Sequence, residues 1–240
     1  MHRALLAIET ATESCSAALS VGDLLIERSE VAPRRHAELI LPMIESLLAE
    51  AGIRRRDLAG VAVGRGPGAF TGVRLAISVA QGLALALDLP VVPVSSLAAL
   101  ALDAPVDDDP CGAILAVIDA RMGEIYAGAF RRSGDGLVEA LGPESVGPAQ
   151  NLVVPQDLRW SVVGSGWDAY RDALQAKLPA PPHFADGTRY PQARAIARLA
   201  AAQFARGAGL TPELALPVYL RDKVALTLDE QRANAVPTRS

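Results

Sequence analysis

His36 and Ile40 stand four residues apart in a stretch whose apolar spacing predicts a helix. Two histidines at that spacing share a helix face and clamp a metal ion. Here the second position is an isoleucine, which has no donor atom. His2 and His183 sit at no metal-ligand spacing, so a metallopeptidase reading keeps only His36, and a lone histidine at a helix start reads as a cap or surface group. Glu9 and Asp119 each end an apolar run. A carboxylate there can act as general acid or base, or hold magnesium for an ATP-dependent phosphotransferase; the plainer reading is a carboxylate closing a strand-end turn. Ser14, Cys15 and Ser16 have no neighbouring histidine or lysine in sequence to activate them. No complete catalytic set emerges.

Residues 64–74, Gly-Arg-Gly-Pro-Gly-Ala-Phe-Thr-Gly-Val-Arg, lie between an apolar run and a long helical one. Glycine-rich backbone ahead of a helix N-terminus can cradle a phosphate. Without a following Gly-Lys-Ser/Thr it is not a Walker loop. Arg65, Gly66, Gly68 and Thr71 are the candidate loop residues, with Thr71 as the expected N-cap. Arg74 in the first helical turn opposes the helix dipole, so it is expected to face something acidic. Gly164 and Gly166 form a second glycine turn after a strand.

The elements that must position these groups follow from pattern. The chain has 240 residues, 50% hydrophobic, enough for one large domain or two lobes. A net charge of -4 argues against a protein that grips nucleic acid alone. Two cysteines, Cys15 and Cys111, make no disulfide framework, and Glu9 interrupts the first apolar run too early for a signal peptide. A cytoplasmic protein is the expectation. Strands are predicted at 5–9, 15–21, 24–31, 61–63 and 91–94, and helices at 36–51 and 71–87. Residues 104–110, acidic and carrying two prolines, read as a crossing, after which strand runs ending in acid restart at 114–118. That restart predicts a duplicated βββαβα unit, a lobe at 1–106 and another at 107–240. The helix at 190–207 is one that can fold back on the first lobe. Residues 180–187 read as a proline-rich loop and the end beyond Leu228 as a polar tail.

Between Thr71 and Leu87 the polar side chains are Thr71, Arg74, Ser78 and Gln81, one thin stripe. So narrow a polar face does not suit a solvated surface, and an interface is expected there. The same polar residues keep 73–87 short of a membrane span.

Several motifs resemble the TsaB (YeaZ) family: Leu6-Ala7-Ile8-Glu9-Thr10-Ala11-Thr12-Glu13, Ala32-Pro33-Arg34-Arg35-His36, Leu41-Pro42-Met43, the 64–74 loop, Ala80-Gln81-Gly82-Leu83-Ala84, Val117-Ile118-Asp119-Ala120-Arg121-Met122-Gly123-Glu124-Ile125-Tyr126 and Pro217-Val218-Tyr219-Leu220-Arg221. The resemblance runs over residues 5–224. It implies an α/β, two-lobed actin-like ATPase/sugar-kinase (ASKHA, ribonuclease H-like) fold. It also implies a non-catalytic accessory subunit for threonylcarbamoyladenosine synthesis on tRNA. That subunit pairs with the catalytic paralogue TsaD, helps recruit the small ATPase TsaE, can form a homodimer when the partner is absent, and meets tRNA only through the complex. No cofactor is expected for the chain alone, with ATP or ADP only in the assembled complex, and no membrane. The resemblance implies a partner surface of His36, Ile40, Met43, Ile44 and Leu47 on the first helix and Arg74, Ile77, Ser78 and Gln81 on the second. Glu9, Arg65, Gly66, Gly68, Thr71, Asp119, Gly164 and Gly166 are the candidate vestigial nucleotide or complex-interface loop.

Overall fold

A computed structural model describes residues 4–105 and 112–221. Strands β1 (Ala4–Glu9), β2 (Ser14–Val21) and β3 (Leu24–Val31) run as an antiparallel meander. Helix α1 (His36–Glu50) leads to β4 (Leu58–Gly64), and helix α2 (Phe70–Leu87) leads to β5 (Val91–Val94). β4 and β5 add in parallel, giving the sheet order β3-β2-β1-β4-β5. Helix α3 (Ser96–Leu102) follows, capped by Ser95, whose hydroxyl accepts the Ala98 N–H at 3.1 Å.

The second half repeats this order. β6 (Gly112–Arg121), β7 (Glu124–Arg132) and β8 (Val138–Ala140) are antiparallel, and β9 (Ser145–Pro148) pairs beside β8 on β7. β10 (Arg159–Val163), helix α4 (Ser165–Gln175) and β11 (Phe184–Asp186) follow, with β10 parallel to both β6 and β11. Helix α5 (Ala193–Ala205) corresponds to α3. The duplication differs from expectation in two respects: the second half adds the strand β9, and where the first half has α1 it has only a 3-10 turn at Ala149–Asn151. Residues 184–186, expected in a loop, form the edge strand β11. Residues 106–110 of the crossing expected at 104–110, Cys111 and the tail beyond 221 lie outside the described residues.

Alternation along the strands splits each sheet between two cores. Leu6 and Ile8 face α1 and α2, while Leu5 and Ala7 face α5. In the second sheet Leu115 and Val117 face α4, and Ile114 and Ala116 face α3. The two equivalent helices are thus exchanged: α3 packs on the second sheet and α5 on the first. Arg65 and Ser95 both reach Glu144 of the second half, Arg65 at 3.5 Å.

Candidate functional site

The glycine-rich loop between β4 and α2 is packed against backbone. Ala69 N–H donates to the Ala11 carbonyl at 2.7 Å, and the Thr10 hydroxyl donates to the Gly72 carbonyl at 2.7 Å. A Cβ at Gly68 would overlap the Ala11 carbonyl, and one at Gly72 the Thr10 carbonyl. Their missing side chains let two chain segments touch. Gly66 is buried, and its carbonyl accepts from Ser96 N at 3.0 Å. Thr71 is not the N-cap: the helix begins at Phe70, Ala69 holds the cap position without a side-chain bond, and Thr71 is exposed in the first turn.

Glu9 is fully buried, 0% exposed, at the end of β1. Its carboxyl accepts the Ala11 N–H at 2.6 Å and the Ser96 hydroxyl at 2.7 Å, pinning β1 to α3. Burial pushes its pKa up to about 7, against the lowering pull of those hydrogen bonds. Cys15 beside it is also buried, and burial, then the Glu30 and Glu9 charges, raise its thiol to about 11, a poor nucleophile. Asp119 does reach the surface between the halves. It accepts Arg121 N–H at 2.9 Å and the Arg121 guanidinium at 2.8 Å, and the same guanidinium crosses to Glu13 at 2.6 Å. Gly164 and Gly166 do not line this opening. Gly164, at φ +106, lies so close to the Val117 carbonyl that a Cβ would overlap it, and Gly166 is buried on Val117: both seat α4 on β6.

His36 Nε2 lies 2.9 Å from the Thr12 carbonyl. A carbonyl only accepts, so Nε2 carries the proton and the ring ties α1 to the β1–β2 turn. Among the described residues no group of three His, Cys, Asp or Glu could hold a metal ion. Between these loops opens a cleft of about 550 Å3, walled by Thr12, Arg34, Phe70, Asp119, Tyr126 and Tyr219 among others.

The two helices show faces other than those expected. Ile40, Ile44, Leu47 and Ile77 are buried in the core against the first sheet, so they cannot present themselves to a partner. Met43 and His36 are half-buried. Gln81 donates to the carbonyls of Pro212 at 3.0 Å and Ala215 at 3.1 Å, which fastens residues 211–221 along α2 as a strap. Arg74 finds an aromatic face in place of the acid expected: its guanidinium lies 3.2 Å over the Phe70 ring, which stacks on Tyr219 of the strap. Ser78 is exposed, with Thr71 and Arg74, along one ridge that continues to Leu85, 74% exposed. The strap adds Leu214 and Leu216, at 59% and 61%. Sequence reasoning missed Leu85 because the stripe was traced through polar residues alone, and missed the strap because nothing periodic marks it. By length and composition α2 is apolar enough to cross a membrane, yet its inner face is built into the sheet core.

Residues 28–227 match the family model described as TsaD, tRNA N6-adenosine threonylcarbamoyltransferase. The tRNA threonylcarbamoyladenosine biosynthesis protein TsaB of Escherichia coli is 38% identical over 92% of this chain and 96% of its own. The Haemophilus influenzae protein of the same name is 34% identical over 92% and 94%. The solved structure of YeaZ from Pseudomonas aeruginosa superposes with a TM-score of 0.83 at 42% identity, covering 91% of this chain and all of that one. The alternation of strands, the paired sheets and these matches agree, and the chain belongs to the TsaB (YeaZ) family, carried on the TsaD-type, two-lobed actin-like α/β fold.

Proposed function

We propose that this chain is an accessory subunit of tRNA threonylcarbamoyladenosine synthesis in the cytoplasm, and that it acts by holding a TsaD-type enzyme rather than by turning over substrate itself. The observation that carries this reading is the ridge Thr71-Arg74-Ser78-Gly82-Leu85, flanked by Phe70 and by the strap residues Leu214, Leu216 and Tyr219, all exposed. A contiguous apolar patch beside a polar rim marks a protein interface. The groups that sequence offered for chemistry are meanwhile engaged: Glu9 is sealed, His36 is bonded to backbone and Asp119 is neutralised by Arg121. The names of the Escherichia coli and Haemophilus influenzae relatives support the pathway. Recruitment of TsaE, a homodimer in the absence of partner, ATP or ADP held only in the assembly, and contact with tRNA only through the complex are parts of the same proposal.

The test is reconstitution. Size exclusion with light scattering is expected to show a stoichiometric complex with a purified TsaD-type enzyme, and threonylcarbamoyl transfer is expected to need both chains. Equal transfer by the partner alone would refute the proposal.

A further inference from the structure

The strap, residues 211–221, holds no helix or strand beyond a 3-10 turn at Pro212–Leu214, yet it touches both halves of the molecule. It is rooted on the first sheet, where Leu210 and Val91 exchange backbone hydrogen bonds at 2.8 and 2.9 Å. Gln81 holds it next, and Ala215 is buried in the core that α2 shares with that sheet. Val218 N–H donates to the Arg65 carbonyl at 2.9 Å, and the Tyr219 ring lies 6.0 Å from that of Phe70. At the end Arg221 crosses to the other half. Its guanidinium donates to the Ala120 carbonyl at 3.1 Å and to the Glu124 carboxylate. These two acceptors flank the β6–β7 turn. The Arg221 side chain is only 19% exposed, so water and salt screen this pair less than one on an open surface. Within the turn Arg121 and Met122 hold φ 63 and 57, a left-handed state that persists in residues other than glycine where the surroundings enforce it.

The outer side of the strap presents Leu214, Leu216 and Tyr219 to the docking face, while Arg221 lies in the cleft wall with Ala120 and Arg121. One short segment thus joins the two. We infer that residues 211–221 are a clasp, which couples docking of the TsaD-type partner on α2 to the setting of the second half at the β6–β7 turn. Docking covers the strap's apolar side chains and so favours the seated segment over a released one. By linkage, loosening the clasp at Arg221 weakens docking, although Arg221 is no part of the docking ridge. The inference rests on the pairing proposed above.

The experiment is hydrogen exchange of the full-length chain, with and without purified partner enzyme, beside calorimetry of pairing. In the lone chain Arg221→Ala is expected to quicken exchange at residues 120–124 about tenfold at a nearly unchanged melting temperature, with Arg221→Lys recovering part of the protection. Partner is expected to slow exchange at 120–124 in the wild type and not in Arg221→Ala, which pairs about fivefold more weakly. Gln81→Leu frees the strap at a separate point and is expected to abolish the same partner-dependent slowing. Unchanged exchange at 120–124 in lone Arg221→Ala overturns the clasp and leaves the pairing intact. Slowing that persists in Arg221→Ala means that the partner touches the turn directly, and overturns the coupling. Pairing of Arg221→Ala within twofold of wild type overturns it as well. No pairing by the wild-type chain overturns both the coupling and the accessory-subunit reading.

Discussion

Glu9 shows how a residue type can mislead about its task. From sequence it is an acid at a strand end; in the fold it is a buried strut between β1 and α3. Its folded pKa of about 7 stands above the ordinary 4.5, so the folded state binds the proton more tightly than the unfolded chain does. The stability linked to that proton is fully present below pH 4.5 and is lost as pH rises through 7. At about 1.4 kcal/mol per unit the loss amounts to about 3 kcal/mol. Urea titrations from pH 5 to 9 are expected to show this decline in the wild type. Glu9→Gln, whose amide can still accept from Ala11 and donate to the Ser96 hydroxyl, is expected to flatten it. An unchanged slope in that variant would place the titration elsewhere. Gly72→Ala makes a second test at this scale. Its methyl would meet the Thr10 carbonyl, so a loss of about 2 kcal/mol or more is expected in the same titration.

Helices α1 and α2 separate what periodicity can and cannot tell. Spacing located both, and the polar stripe gave the outward line of Thr71, Arg74 and Ser78. It did not tell which apolar residues meet the sheet and which meet a partner, because the two surfaces are chemically alike. Ile40, Ile44, Leu47 and Ile77 went to the sheet, where β1, β2 and β4 present Ile8, Leu19 and Val61. The strap was illegible for another reason: its place depends on Gln81, far away in sequence, donating to two of its carbonyls. Short edge strands such as β9 and β11 offer too few residues to alternate. These placements set opposite outcomes for similar changes. Leu85→Glu is expected to keep the melting temperature and to cost about 2 kcal/mol or more in pairing, as interface hot spots do. Ile44→Glu is expected to unfold the lone chain, because it buries an unpaired charge in the core. Circular dichroism melts beside light scattering read both. Gln81→Leu is expected to leave the global melt near wild type while hydrogen exchange quickens at residues 212–218, since only the strap loses its tethers.

At the scale of the whole molecule the repeated strand order was visible in the recurrence of an apolar run ending in acid, Glu9 and again Asp119. The exchange of α3 and α5 was only half visible, because amphipathicity says that a helix must be covered but not by which sheet. Their exchange makes each half incomplete alone. A fragment of residues 1–105 lacks α5 and would leave Leu5, Ala7, Ala62 and Val92 uncovered. It is expected to show no cooperative melt and to bind a hydrophobic dye, whereas the full chain melts in one transition. The missing counterpart of α1 has a consequence for assembly. Two intact copies of the repeat would offer a docking helix pair on each lobe, and such a body can be threaded into a strand of subunits without end. With a mere turn at 149–151 in that place, the second half repeats no such helix pair, so the pairing proposed above engages one side alone. Joined through that side, the molecule closes a complex instead of extending it.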